Sequence, residues 1–163
     1  MMGLYPATAR DLPVIQDIAR RTWPETYGHI LSREQIGFML DKFYSTAALL
    51  QNLADGHRIM VLEHNGTPAG FYALQPGYKP GVSHLHKIYL LPEFHGRGMG
   101  FLMLSDAENL GRSLGDQTIT LNVNRFNPAQ KFYSRHGFET VETVDIPIGH
   151  GYLMEDYVMA KSL

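Results

Sequence analysis

His95-Gly96-Arg97-Gly98-Met99-Gly100 follows the apolar run Ile88-Tyr89-Leu90-Leu91 and precedes a helical pattern that begins at Phe101. A glycine-rich turn between a strand and a helix N-terminus presents unpaired backbone N–H groups in one direction. The positive end of the helix dipole points the same way. Glycines let the backbone approach a ligand and accept positive φ. Such a turn suits a phosphate or pyrophosphate, and it is equally compatible with a plain tight turn.

Working outward, the chain downstream reads as alternating helix and strand. The helix after the turn carries Met103, Ala107, Leu110 and Leu114 on one face, and Gly115 closes it. Thr118–Val123 alternates as a half-buried strand. Asn127-Pro128 opens another helix, with Asn127 as N-cap and Pro128 in its first position. Gly137 ends it where a left-handed residue is expected. Strands at about Phe138–Ile146 and Tyr152–Ala160 complete this half. Upstream, Val82–Leu91 reads as the strand that leads into the turn, and Pro76–Gly81 as a loop. Asn65-Gly66 is a two-residue hairpin signal between Arg58–Glu63 and Ala69–Leu74. Earlier still come a short strand at Leu4–Ala7 and a helix capped by Asp11 with the stripe Leu12, Ile15, Ile18 and Ala19. Trp23–Tyr27 reads as a turn or broken helix. Ser32 and Gln35 form a capping box before Ile36, Met39, Leu40 and Phe43, and Ser45 caps a short helix that ends near Gly56. Helices interleaved with one mixed sheet place the chain in the α+β (α/β) class.

The chain has 163 residues, 44% hydrophobic and 18% charged, which predicts one folded domain over 1–163. A formal net charge of −2 with no basic run argues against a nucleic-acid partner. With no cysteine there is no disulfide, thiolate metal site or cysteine nucleophile. The opening Met1–Pro6 has no basic segment leading into an apolar run. No stretch approaches the roughly 18–20 apolar residues of a membrane span. The expectation is a cytoplasmic protein without a membrane partner.

A P-loop places Lys-Ser or Lys-Thr after its last glycine. Here Phe101-Leu102 follows Gly100. A dinucleotide fingerprint has its third glycine three residues after the second, in a leading βαβ unit. Position 101 is Phe and the turn lies mid-chain. The arrangement Leu91-Pro92-x-x-His95-Gly96-Arg97-Gly98-Met99-Gly100 resembles the acetyl-CoA signature of the GNAT superfamily of N-acetyltransferases, Gln/Arg-x-x-Gly-x-Gly/Ala after an apolar-Pro strand end. Asn127-Pro128-Ala129-Gln130-Lys131-Phe132-Tyr133-Ser134-Arg135-His136-Gly137-Phe138 is similar to that superfamily's second block. His95 is the departure, standing where the signature has Gln or Arg.

The resemblance implies the GNAT fold: a mixed, mostly antiparallel twisted sheet of six to seven strands flanked by four or five helices. It implies acetyl-CoA as co-substrate, no metal, and direct acetyl transfer to a primary amine in a ternary complex. An amine of pKa about 10.4 is free in roughly one molecule per thousand at neutral pH. The site must therefore accept a proton, stabilise an oxyanion and protonate the leaving thiolate. The resemblance assigns the last task to Tyr133 as general acid. It places the oxyanion on backbone N–H groups around Leu90 and Leu91, and the pyrophosphate on amides from His95 to Gly100, with Arg97, Asn127 and Arg135 as further cofactor contacts. His84 and His86, two apart on one strand, are the candidates for general base. Their spacing also fits a metal, but no third ligand accompanies them, so none is expected.

The acceptor site implied by the resemblance combines Trp23, Tyr27, His29 and Tyr44 with His150, Tyr152 and Glu155. Aromatic rings there suit an alkyl amine; Glu25, Glu155 and Asp156 offer counter-charge. The early Thr22-Trp23-x-x-Thr26-Tyr27 and the late Met-x-Asp-x-x-Met-Ala-Lys resemble bacterial spermidine/spermine-type acetyltransferases. The expected acceptor is a polyamine or another small cationic amine. The alternatives are a protein N-terminal α-amine or a non-catalytic acetyl-CoA-binding module. A homodimer is expected by analogy with the superfamily.

Overall fold

A computed structural model describes residues 1–163. Seven strands form one sheet: β1 (Met2–Pro6), β2 (Arg58–His64), β3 (Thr67–Lys79), β4 (Val82–Leu90), β5 (Thr118–Asn124), β6 (Glu139–Gly149) and β7 (Tyr152–Ser162). Their order is β1-β2-β3-β4-β5-β7-β6. All neighbours are antiparallel except β4 and β5, which run parallel. A parallel pair needs a crossover connection. Helix α4 (Met99–Ser113) supplies it. The mixed sheet and five helices are those expected from the sequence.

Helices α1 (Leu12–Tyr27), α2 (Arg33–Tyr44) and α3 (Thr46–Ala54) cover one face; α4 and α5 (Ala129–Arg135) cover the other. Each face has its own core. Ile15, Ile18, Trp23, Leu49 and Phe71 belong to the first, and Tyr72, Met103, Leu104, Ile119 and Met159 to the second. At the β2–β3 turn, Asn65 (φ 51°) and Gly66 (φ 79°) both take positive φ, as a two-residue hairpin requires. Gly137 ends α5 at φ 94°.

Several expectations are corrected. Trp23–Tyr27 is the last part of α1: the helix continues through Pro24, whose carbonyl accepts the Gly28 N–H at 2.9 Å. Asp11 does not cap α1; its carboxylate turns back to the Thr8 N–H at 2.8 Å. Only half the capping box forms at α2. Ser32 Oγ accepts the Gln35 N–H, while the Gln35 side chain donates to the Leu153 carbonyl. Pro76–Lys79 lies within an extended β3 rather than a loop. Helix α4 begins at Met99, two residues before Phe101, because Leu102 N–H already reaches the Gly98 carbonyl.

Candidate active site

β4 and β5 pair only from Val82–Leu85 against Thr118–Leu121. Beyond Leu85 they part, while β5 stays joined to β7 as far as Asn124. A wedge-shaped cavity of about 610 Å³ opens between Leu85–Leu90 and Leu121–Val123, with Asn127 and Tyr133 on its wall. On the β3 side, Leu91 N–H donates to the Ala69 carbonyl at 2.8 Å. Alternation along an antiparallel strand then turns the N–H and C=O of Leu90 and Ile88 away from β3, into the wedge. The expected oxyanion donor at Leu91 is therefore corrected: its amide is spent on β3. Leu90 keeps its N–H facing the wedge.

The glycine turn stands at the mouth of this wedge. Gly96 and Gly98 both lie at φ 77°, and nothing stands within 4 Å of the position where either would carry a Cβ. No side chain caps α4, so its first amides face open space. Gly100 packs on the Phe132 ring of α5, with 3.6 Å to a Cβ placed there. The arrangement fits a pyrophosphate held by backbone N–H groups. His95, the residue that departs from the signature, points its ring back along the chain: Nε2 bonds the Leu90 carbonyl at 2.9 Å. Arg97 lies over the Phe94 ring, 5.8 Å from its centroid, at the exposed turn. Asn127 is buried and lines the wedge; Pro128 rather than Asn127 takes the cap position of α5, but Asn127 Oδ1 accepts the Ala129 N–H at 2.9 Å from one residue further out. Arg135 sits exposed in the last turn of α5, outside the cavity wall.

A second cavity, about 180 Å³, lies between α1, α2 and the sheet. Trp23, Tyr44, Met39 and Phe43 wall it, and Asp156 enters it from β7. Tyr27, His86, Lys87, Tyr89 and Asn122 line both cavities, so the two meet there. Tyr27 and Tyr89 join hydroxyls at 2.8 Å across the junction.

A bulge on β4 sets this wall. Leu85 pairs with Leu74 and Lys87 with Ala73, leaving His86 as the extra residue. Leu85, Ile88 and Leu90 pack toward α4. His84 and His86 rings meet at 4.6 Å on the opposite face, and Lys87 and Tyr89 join them there. The His84 ring bonds Thr120 Oγ1 at 2.7 Å, and His86 Nε2 bonds Gln75 Oε1 at 2.9 Å. Burial, then neighbouring positive charge, lowers His84 to about 4; desolvation and the His84 and His57 rings lower the more exposed His86 as well. Both rings are neutral at pH 7 and weakly basic. Lys87 donates to Asn52 Oδ1 at 3.0 Å and lies over the Tyr44 ring; burial brings its pKa down to about 8.

Tyr133 is 8% exposed. Burial, then the Tyr27 hydroxyl, raises its pKa above the usual 10. It keeps its proton through the neutral range and can donate it into the wedge.

Of the expected acceptor residues, Trp23, Tyr27 and Tyr44 line the second cavity. Three do not. His29 stands at the wedge mouth. His150, at φ 54° in the β6–β7 turn, packs on Phe38 at 4.7 Å. Glu155 faces away because side chains alternate along β7, and it pairs with Arg125 at 3.6 Å. Lys87, Tyr89 and Asn122 line the cavity without a sequence signal, since a period of two puts Lys87 opposite His84 and His86.

The sequence profile of the acetyltransferase (GNAT) family matches residues 12–138. The chain belongs to the GNAT acetyltransferase family. This acetyltransferase is 30% identical over 155 residues to an uncharacterised N-acetyltransferase of Mycobacterium bovis, covering 94% of this chain and 98% of that one. It is 29% identical over 151 residues to the spermidine N(1)-acetyltransferase of Thermoplasma acidophilum, covering 89% and 90%. Among solved structures, it resembles the PaiA N-acetyltransferase of Thermoplasma acidophilum in complex with coenzyme A, with a TM-score of 0.86 at 24% identity, covering 100% and 99%. The GNAT acetyltransferase uses acetyl-CoA as acyl donor. It is an acyltransferase that acts on an amine. No group of three potential metal ligands converges, and no helix is long and apolar enough to cross a membrane.

Proposed function

We propose that the enzyme acetylates a small cationic primary amine of the polyamine class, bound in the second cavity. The observation that carries this reading is the Asp156 carboxylate, 4% exposed, set among the aromatic rings of Trp23, Tyr27, Tyr44 and Tyr89. Rings of this kind accept alkyl chains and attract ammonium groups, and a buried carboxylate seeks a cation. The spermidine N(1)-acetyltransferase relative supports the same class.

In this reading the amides from Gly96 to Gly100 hold the pyrophosphate, the His95 N–H being spent on the Pro92 carbonyl at 3.1 Å, with Asn127 on the wedge wall. The Leu90 N–H meets the developing oxyanion, where a preorganised donor counts most. Tyr133 protonates the leaving sulfur. Acetyl-CoA supplies the activated acyl group. Its place is the wedge, so an amine in the second cavity meets it at Tyr27 and Tyr89. Lys87 stands on the wall shared with the wedge and carries its own positive charge, so the Asp156 carboxylate is the group in the cavity that draws a cationic acceptor.

The test is acetyl-CoA consumption with spermidine and spermine set against amino acids, aminoglycosides and N-terminal peptides. Polyamines are expected to give the highest kcat/KM. Turnover of another amine with none of any polyamine would overturn the acceptor assignment. Turnover of peptides alone would establish the N-terminal reading, and no turnover of any amine the non-catalytic one.

A further inference from the structure

We infer that Asp156 is the general base of the acyl transfer, taking the proton that the acceptor amine sheds. The inference rests on the reading that the amine occupies the second cavity, whatever the amine's identity.

The placement comes first. Alternation along β7 turns Asp156 inward and Glu155 outward. Asp156 lies opposite Asn124 of β5, on the wall facing α1. Its Oδ2 accepts one bond, from Asn122 Nδ2 at 3.3 Å. No lysine or arginine forms an ion pair with it. Arg125, just after β5, is engaged by Asp145 at 2.9 Å, by Glu155 and by the Val144 carbonyl. The carboxylate thus has lone pairs to spare inside an amine-sized cavity.

Its relation to the acid comes second. Tyr133 lines the wedge, Asp156 lines the second cavity, and Tyr27 lines both. A proton acceptor stands on the amine side and a proton donor on the thioester side.

The competing bases come third. The lone pair or N–H at one nitrogen of His84 is taken by Thr120, and at one of His86 by Gln75. The desolvation that weakens these rings as bases acts in the opposite sense on a carboxylate, and burial raises Asp156 above its usual 3.8. Groups facing Asp156 are Asn122 and Arg125 from the β5 side, Tyr27 from α1, and Lys87 and His86 across the cavity.

The step balances. An ammonium that enters beside Asp156 gives its proton to the carboxylate, and the freed nitrogen lone pair forms the N–C bond to the acyl carbon. The C–S bond breaks with its electron pair on sulfur, and the Tyr133 O–H supplies the proton there. The nitrogen, still carrying two hydrogens after attack, gives up a second proton that restores the Tyr133 hydroxyl, and Asp156 releases the first proton to solvent, so the net products are the amide, the thiol and one proton.

The experiment compares Asp156→Asn, Asp156→Glu and Tyr133→Phe with the parent, using whichever amine is turned over fastest. Asp156→Asn is expected to lower kcat by about 10²–10⁴-fold with the KM for acetyl-CoA unchanged, and to abolish the acid limb of the kcat profile. Asp156→Glu should retain that limb. With trifluoroethylamine, an amine already neutral at pH 7, the loss should shrink. A rise in amine KM with unchanged kcat would make Asp156 an anchor only and overturn the inference. So would a kcat loss that is equal for both amines and leaves the acid limb in place. If polyamines fail as acceptors but another amine is turned over with these signatures, the acceptor class falls while the base assignment stands.

Discussion

Lys87 shows how one side chain sets the polarity of the acceptor cavity at a cost in stability. Its ammonium is half-buried with a neutral amide oxygen and a ring as partners, and no carboxylate. Desolvation brings its pKa to about 8, below the 10.4 of an unfolded lysine. Between these values the unfolded chain binds more protons, so stability rises with pH there, and the penalty is fully present below about pH 8. Lys87→Met should stabilise the fold by about 2 kcal/mol at pH 7 and flatten the rise between pH 8 and 10, read by urea unfolding at both ends. Equal stability at pH 7 would show that Lys87 finds compensation elsewhere. The same ammonium repels a cationic acceptor where the two cavities meet, so the variant should also lower the KM for a cationic amine.

At the scale of elements, the reach of the sequence can be judged on β4. The glycine turn, the Asn65-Gly66 hairpin, the Ser45 cap and the Asn127 cap are local signals. They act through a residue's own φ, its own N–H or a bond two or three residues away; the first three appear where expected, and the last is shifted by one residue, Pro128 taking the cap position while Asn127 Oδ1 still accepts the Ala129 N–H. The bulge at His86 is not local. It is a mismatch of register against β3, and β3 lies at a distance in the chain. A strict period of two put His84 and His86 on one face of β4 and so, by the same count, Lys87 and Tyr89 on the other. The hydrogen bond from Leu91 to Ala69 is likewise a pairing fact, invisible until the strands are docked. Gly70 is where this docking is tightest: a Cβ there would lie 2.5 Å from the Tyr89 carbonyl oxygen. Gly70→Ala must push β4 aside, and is expected to cost about 2 kcal/mol or more of stability and to weaken acetyl-CoA binding. Urea unfolding and titration calorimetry measure the two. An alanine variant with parental affinity would mean that β4 moves without disturbing the wedge.

For the whole molecule, the imidazoles of His57, His84 and His86 gather where β2, β3 and β4 meet, and burial lowers all three. A folded-state pKa below the unfolded 6.5 means that stability is intact above pH 6.5 and is lost as pH falls toward about 4. His84 alone, 8% exposed, accounts for roughly 3 kcal/mol across that window; the more exposed His86 adds less. The raised Asp156 works in the opposite sense but is a single group. Thermal midpoints are expected to drop steadily from pH 6.5 to 4, and His84→Gln should flatten the slope while keeping the bond to Thr120. A midpoint that is level over this range would remove the histidines from the account of acid sensitivity.

The open edge of β4 carries a consequence of another kind. Its donors belong to the main chain, so exchanging the side chains of Ile88 or Leu90 for others of similar bulk leaves them in place. The machinery that receives the acyl donor is thereby insulated from most point substitutions. The acceptor cavity, built from the rings of Trp23, Tyr27 and Tyr44 and the charges of Lys87 and Asp156, is not. Inheritance can rewrite which amine is chosen while the acyl-receiving edge passes unaltered from one descendant to the next.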